Sequence, residues 1–281
     1  MKAIVAKSGS EAQDAGAFIL KEQPIPEPGT QDLLVRVNAI GMNPVDTKVR
    51  QMFENDAVLG WDACGIVEKI GEGVTGFKTG DKVFYAGDIT RPGSNSEYHL
   101  VDQRIAALAP KKLSPEDAAA MPLTSITAWE GLFERLGFVP EANANSGKRI
   151  LIIGGAGGVG SVAIQLARWA GLKVFASASR TETVDWCKNL GADIILNHRN
   201  SLYEELKAAG TDSVDTIFCT TQMERHWKVM AECGSITCFS LFFFNEVKFR
   251  TLFVCAVLFD CSLSLLHYAV KGFIVFGAAK L

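Results

Sequence analysis

The sequence predicts an α/β protein: a β-rich N-terminal domain, then a doubly wound parallel sheet, with an atypical C-terminal part. Three observations carry this. Short apolar runs broken by turn chemistry fill the first 120 residues, strands alternate with helical segments after Pro122, and a glycine loop joins the first strand of that alternation to its helix.

In the first part, Ala3–Ala6, Leu33–Ala39, Gly65–Ile70, Lys82–Tyr85 and Glu97–Val101 read as strands, separated by turns such as Pro24 to Gly29 and Thr79-Gly80-Asp81. After Pro122 a helical pattern precedes strands at 150–154, 173–177, 192–196, 214–218 and 235–240, with helices starting near Val159, Arg180, Leu202 and Met223. Ser201 with Glu204 spells a capping box for the helix at Leu202. Five strands joined by four helices require a parallel sheet, because parallel neighbours need crossover connections. The domains expected are 1–122, 123–240 and a divergent hydrophobic tail, 241–281.

The chain has 281 residues, enough for two domains, and a net charge of −3. No basic stripe points to nucleic acid or an anionic membrane. The apolar stretch at Met1-Lys2-Ala3-Ile4-Val5 is too short for a signal peptide. Seven cysteines, scattered and odd in number, argue against a secreted disulfide scaffold, so a cytoplasmic location is expected. From Cys233 onward the chain carries four of those cysteines and nine of its seventeen phenylalanines. Thr251 to Val270 is long enough to span a bilayer, but Asp260 at its midpoint and His267 near its end are costly in hydrocarbon, which argues against a span.

The chemistry concentrates at Ile150 to Arg180. An apolar strand enters a loop in which Gly155, Gly157 and Gly160 have G-x-G-x-x-G spacing, and a helix follows with Val162, Leu166 and Trp169 along one side. Such glycines let the backbone turn tightly and approach a pyrophosphate, while the N–H groups of Gly158 and Val159 face the anion. A glycine turn can also serve helix–strand packing alone; the strand–loop–helix setting within a repeating βα pattern favours the dinucleotide. NAD binders place an acidic residue roughly 20 residues beyond the loop to accept from the ribose 2′-hydroxyl. Here that place holds Ser179-Arg180. A carboxylate would repel a 2′-phosphate and arginine can pair with it, so the cofactor expected is NADP (NADPH). Ser179 with Glu182 also reads as a plain capping box, with Arg180 a solvated first-turn residue, and the two readings are compatible.

Further segments complete a family pattern: Gly41-Met-Asn-Pro-Val-Asp-Thr-Lys48, Gly60-Trp-Asp-Ala-Cys-Gly65, Gly80-Asp-Lys-Val-Phe-Tyr-Ala-Gly-Asp-Ile-Thr-Arg-Pro-Gly-Ser94, Pro122-Leu-Thr-Ser-Ile-Thr-Ala-Trp129 and Leu190-Gly-Ala-Asp193. With the glycine loop, the chain resembles the medium-chain dehydrogenase/reductase superfamily, in its quinone oxidoreductase-like branch of zinc-type alcohol dehydrogenase-like proteins. The resemblance implies a GroES-like β-domain against a Rossmann domain, with the active site in the cleft between them. Gly154, Gly157 and Gly160 also match the superfamily's glycine variant. Asn43 is the candidate donor to the substrate carbonyl, with turn formation before Pro44 as its other reading. Asp46 orients its neighbours or caps the following helix, and capping is favoured. Tyr85 offers a hydroxyl to substrate or fills the core, and core is the commoner fate of a strand tyrosine. Thr127 matches the threonine that contacts nicotinamide, or is an ordinary helix hydroxyl. Trp61 walls the cleft or fills the core. His99 and His198 show no acid or nucleophile partner and are assigned no catalytic role.

No metal is expected. The metal-dependent branch has a cysteine near Met42–Asn43, a His-Glu pair where Trp61-Asp62 stands and a four-cysteine lobe, and no C-x-x-C occurs anywhere in this chain. Cys64, Cys187 and Cys219 read as buried small hydrophobes. The function implied is an NADPH-dependent, zinc-independent oxidoreductase that reduces quinones or α,β-unsaturated carbonyls by hydride transfer.

Beyond about Glu232 the resemblance fades, and Phe242-Phe243-Phe244 does not match the family's continuation. A retained intron, a shifted reading frame or a mispredicted gene model is the origin expected for 241–281. Loss of the last strand would expose a sheet edge through which family members dimerise, putting a homodimer in doubt. Two rivals follow: a non-catalytic NADPH-binding protein or inactive truncated fragment, and a tail-anchored membrane reductase.

Overall fold

A computed structural model describes residues 1–50, 53–221 and 238–240. Strand β1 (Lys2–Ala6) pairs antiparallel with β2 (Phe18–Glu22), burying Ala3 and Val5 beneath the pair. The long β3 (Asp32–Gly41) leads into a short helix, α1 (Pro44–Val49), and the chain then returns to β1 through β4 (Ala57–Val58). Strands β5 (Asp62–Ile70), β6 (Lys82–Ala86), β7 (Tyr98–Asp102) and β8 (Ala106–Leu108) complete an antiparallel sheet of order β7-β3-β5-β6-β8. Alternation sends Leu33, Val35, Ala63, Val67, Val83, Tyr85 and Val101 to one core. Cys64 and Phe84 face the other way, against Ala118 and Ala119 of α2 (Pro115–Ala119). The β3–β5 register shifts at two places, and after the second Gly41 stands opposite Asp62.

The chain divides into two compact units between Leu123 and Thr124. Helix α3 (Pro122–Trp129) runs into a π-helical turn, Glu130–Arg135. Trp129 and Phe133 meet edge to face at 4.6 Å, and Phe133 meets Trp169 likewise at 6.2 Å. Then follow β9 (Arg149–Ile153), α4 (Gly158–Trp169), β10 (Lys173–Ser177), α5 (Thr181–Asn189), β11 (Ile194–Leu196), α6 (Leu202–Ala208), β12 (Thr216–Cys219) and β13 (Cys238–Ser240). The five strands are parallel, in the order β11-β10-β9-β12-β13. Ile150 through Ile153 are all buried, which both faces of a central parallel strand require. Leu151 and Ile153 join Phe175, Ile217 and the α6 residues Leu202 and Leu206 in one core.

The α/β class expected from the sequence is the one observed. Every strand and helix expected between 3 and 218 is present, with boundaries within three residues and the largest offset at the start of β5. Strands β2, β4 and β8 are additions. Ser201 caps α6 by accepting from the Glu204 N–H at 3.4 Å. The helix near Met223, residues 241–281, the Thr251–Val270 stretch and the cysteines at 233, 255 and 261 lie outside the described residues. Among the described residues no helix is long and apolar enough to cross a membrane.

Candidate active site

In the N-terminal unit the candidate residues gather around Asn43. Its backbone is extended where α1 begins, and its N–H donates to Asp46 Oδ2 at 2.6 Å, while its carbonyl accepts from the Asp46 N–H at 3.0 Å. Asp46 therefore caps α1, the favoured reading. The Asn43 side chain is not spent on the cap. Its Nδ2 donates to Asp62 Oδ2 at 2.8 Å. The other oxygen, Asp62 Oδ1, accepts from the Leu123 N–H at 2.8 Å, one residue into α3. Asp62 is only 1% exposed. Burial pushes its carboxyl up to about 7, helped by the Asp46 charge and opposed by the two hydrogen bonds. Asp46 is raised for the same first reason, and its Oδ1 has no partner among the described residues. Asn43 is thus clamped between two buried carboxyl groups, with one amide hydrogen uncommitted among the described residues.

Tyr85 is not brought to this cluster. It is fully buried and pairs across the strands with Ala63, so it projects from the sheet face opposite Asp62. Its hydroxyl lies 3.0 Å from His99 Nδ1, and His99 Nε2 lies 2.9 Å from the Pro92 carbonyl. A carbonyl only accepts, so Nε2 carries the proton and Nδ1 accepts from Tyr85. Burial holds His99 neutral, with its pKa down at about 4. This is the core arrangement of Tyr85, its proton already committed. Trp61 also fills a core, with Ala6, Val49 and Leu59, and its indole N–H donates to the Asp88 carbonyl at 3.0 Å.

In the second unit the glycine loop caps β9. Gly154 turns the chain with φ of +83°, where an added Cβ would also run into Thr220 Oγ1. Gly160 packs against the Gly154 carbonyl with no room for a Cβ. Gly155 is buried against Ala176, whereas Gly157 and Gly158 are exposed. The helix ladder starts with the Ser161 N–H to the Gly157 carbonyl at 2.8 Å, so the N–H groups of Gly158, Val159 and Gly160 precede it. That exposed glycine backbone at the start of a three-turn helix fits a pyrophosphate. Ser177 Oγ accepts from the Gly154 N–H at 2.9 Å and Thr220 Oγ1 donates to the Ile153 carbonyl at 2.9 Å, bracing the loop from β10 and β12.

Ser179 and Arg180 follow β10 at the same edge of the sheet. The Ser179–Glu182 capping box does not form. Arg180 is the N-cap of α5, and its N–H donates to Thr183 Oγ1 at 3.2 Å. Ser179 Oγ instead lies 3.1 Å from His198 Nε2. The Arg180 side chain is exposed and has no ion pair among the described residues. Thr127 is buried in α3. Sequence reasoning named His198 only to give it no catalytic role, and did not single out Asp62, Ser177 or Thr220. Only Asp62 carried a signal, standing inside a family motif.

Zinc does not fit these residues. Among the described residues no group of three or more His, Cys, Asp or Glu side chains could hold a metal ion. Asp62 is engaged by an amide and a backbone N–H, and His99 by Tyr85 and Pro92. Cys64, Cys187 and Cys219 are free and buried, and burial pushes the last two thiols up to about 11. They are the small hydrophobes expected.

Residues 29–112 match the alcohol dehydrogenase GroES-like domain family, and residues 158–273 match the zinc-binding dehydrogenase family, a range that extends into the tail. A zinc-type alcohol dehydrogenase-like protein of Staphylococcus aureus is 45% identical over 252 residues, covering 88% of this chain and 75% of that one. An NADPH-dependent alkenal/one oxidoreductase of Arabidopsis thaliana is 36% identical over 228 residues, 75% of this chain and 56% of that one. Among solved structures, a putative zinc-dependent alcohol dehydrogenase from Rhizobium etli superposes with a TM-score of 0.78 at 44% identity, covering 85% of this chain and 72% of that one. The Escherichia coli quinone oxidoreductase complexed with NADPH gives 0.71 at 26%, covering 85% and 73%. A β-rich unit in which Asn43 donates to a buried Asp62, a parallel sheet with a braced glycine loop, and these matches place the chain among the oxidoreductases of the medium-chain dehydrogenase/reductase superfamily, with the zinc-type alcohol dehydrogenase-like proteins.

Proposed function

We propose that the protein is an NADPH-dependent, zinc-independent reductase of quinones or α,β-unsaturated carbonyls. The observation that carries this reading is the Asn43 amide, held by Asp62 through one hydrogen and free to donate the other to a substrate oxygen. When bound, the cofactor supplies a hydride to an electrophilic carbon conjugated with a carbonyl. The Gly158 and Val159 N–H groups bind its pyrophosphate, and the Arg180 guanidinium pairs with its 2′-phosphate. Thr127 contacts its nicotinamide. The Asn43 amide meets negative charge as it develops on the substrate oxygen, and solvent water returns the proton. With the Tyr85 proton committed to His99, Asn43 takes the polarising role among these candidates. The names of the Arabidopsis and Escherichia coli relatives support the substrate and cofactor classes. The same reading places the protein in a reducing cytoplasm, where the free thiols Cys64, Cys187 and Cys219 persist.

Purified protein is expected to oxidise NADPH when given a quinone or an enone, with a chelator making no difference. Asn43→Ala should lower kcat by roughly 10²–10³-fold while NADPH still binds. Activity abolished by chelation and restored by zinc would refute the metal-free reading, and a silent carbonyl panel would refute the reductase.

A further inference from the structure

The buried carboxylate of Asp62 is absorbed neither by the helix cap nor by the cofactor loop. It stands where β5 begins, opposite Gly41 at the end of β3, and touches both Asn43 Nδ2 and the Leu123 N–H. We propose that Asp62 is the positioning residue of the site: its carboxylate fixes the Asn43 amide in the orientation that presents the second Nδ2 hydrogen, rather than the amide oxygen, to the substrate carbonyl.

The argument is one of valence. A primary amide has a donor end and an acceptor end of nearly equal shape, so packing alone does not select between them. Once ionised, the Asp62 carboxylate only accepts, so above its pKa the amide must turn its NH₂ toward it. The Leu123 N–H occupies Oδ1 and leaves Oδ2 for Asn43. The Asn43 backbone is anchored separately, its N–H on Asp46 Oδ2. Backbone and side chain are thereby fixed by two different acids, which removes the rotation that would swap donor for acceptor. A polarising donor misplaced by about 1 Å can cost on the order of 10²-fold in rate, so the group that holds it matters as much as the donor. This role rests on the reading of Asn43 as the carbonyl donor.

The test, run at pH 8 where Asp62 is ionised, compares D62N, N43D, N43A and the swap D62N/N43D by turnover of an enone with NADPH, by NADPH affinity, by thermal unfolding and by the ¹⁵N resonances of the Asn43 side-chain amide. In D62N, kcat should fall by about 10²-fold, with NADPH affinity within roughly twofold of wild type, and the Asn43 amide resonances should shift. The swap restores a donor–acceptor pair with reversed polarity. It should regain thermal stability lost in either single variant, yet turn over no faster than N43D. An Asn43 resonance unmoved in D62N overturns the proposal whatever the activity. Full turnover in N43A overturns instead the reading of Asn43 beneath it, even where the resonance moves. If D62N does not fold, the swap decides: folded, NADPH-binding and slow supports positioning, while failure to fold overturns the pairing.

Discussion

A carboxyl group buried before it ionises ties stability to pH. Asp62 starts from an ordinary 3.8 and is pushed to about 7 in the fold, chiefly by burial. Between those values the folded chain holds a proton that the unfolded chain has released. Its stabilising contribution is full below about pH 4 and is lost as pH rises through 7. Each unit of such a shift corresponds to about 1.4 kcal/mol, so the loss is on the order of a few kcal/mol. Asp46, raised for the same reason, adds in the same direction. Urea unfolding at pH 5 and pH 8 should show the wild type weaker at the higher pH, and D62N should flatten that slope; an equal slope in both would assign it to other groups. Tyr85→Phe addresses a second residue. It leaves His99 Nδ1 without its donor and should cost roughly 1–3 kcal/mol in unfolding, while kcat stays near wild type. A Tyr85→Phe protein of normal stability and lost turnover would return Tyr85 to the chemistry. Asn43 and Asp46 were legible in the sequence because a Gly-x-Asn-Pro-x-Asp turn fixes both. The Gly60–Gly65 motif marks the position of Asp62 but not its role, which arises from the β3–β5 register and from burial. Alternation placed Tyr85 on a strand but could not say which face looked inward.

At the scale of elements, the glycines of the β9–α4 loop divide into those the fold needs and those the proposed cofactor site would need. An alanine at Gly160 would drive its methyl into the Gly154 carbonyl, where backbone meets backbone with nothing flexible to yield. Gly160→Ala should destabilise the second unit by roughly 1–3 kcal/mol. An alanine at Gly157 meets only the Gly154 oxygen, at 3.3 Å, and projects from an exposed turn. Gly157→Ala should keep its unfolding midpoint but weaken NADPH by at least about tenfold, roughly 1.4 kcal/mol, because on the proposed reading the methyl would stand where the pyrophosphate approaches. Calorimetry with and without NADPH separates the two, and equal behaviour of the variants would undo the division. The strand–loop–helix element was legible because a central parallel strand reads as an unbroken apolar run and glycine spacing is local. Strand β2 was not, since Phe18–Glu22 is largely exposed and is held by pairing with β1 rather than by a buried face. Strand β4 has two residues, too few for any period. The α5 cap was assigned one residue early, because Ser179 is drawn away by His198 and Thr183 takes over the cap.

At the scale of the second unit as a whole, the strand order β11-β10-β9-β12-β13 reverses direction between β9 and β12. Ligands of open parallel sheets bind beyond the carboxyl ends of the strands at such a switch point. Because all the strands run the same way, the glycine loop after β9, Ser179 and Arg180 after β10, His198 after β11 and Thr220 after β12 gather along one edge. On the proposed reading, the exposed Arg180 is the charged side chain at the place where the two nicotinamide cofactors differ, since only the phosphorylated form carries an anion there. A ligand that binds the folded state alone stabilises it by about 2.7 kcal/mol at a hundredfold excess over its Kd. At equal concentrations, NADPH should therefore raise the unfolding midpoint more than NADH does. Arg180→Ala should remove charge-assisted bonds of about 1.5–3 kcal/mol from NADPH binding and none from NADH, bringing the two midpoints together. A wild-type protein stabilised equally by both cofactors, or an Arg180→Ala variant that loses both alike, would mean that Arg180 is only the solvated first residue of its helix.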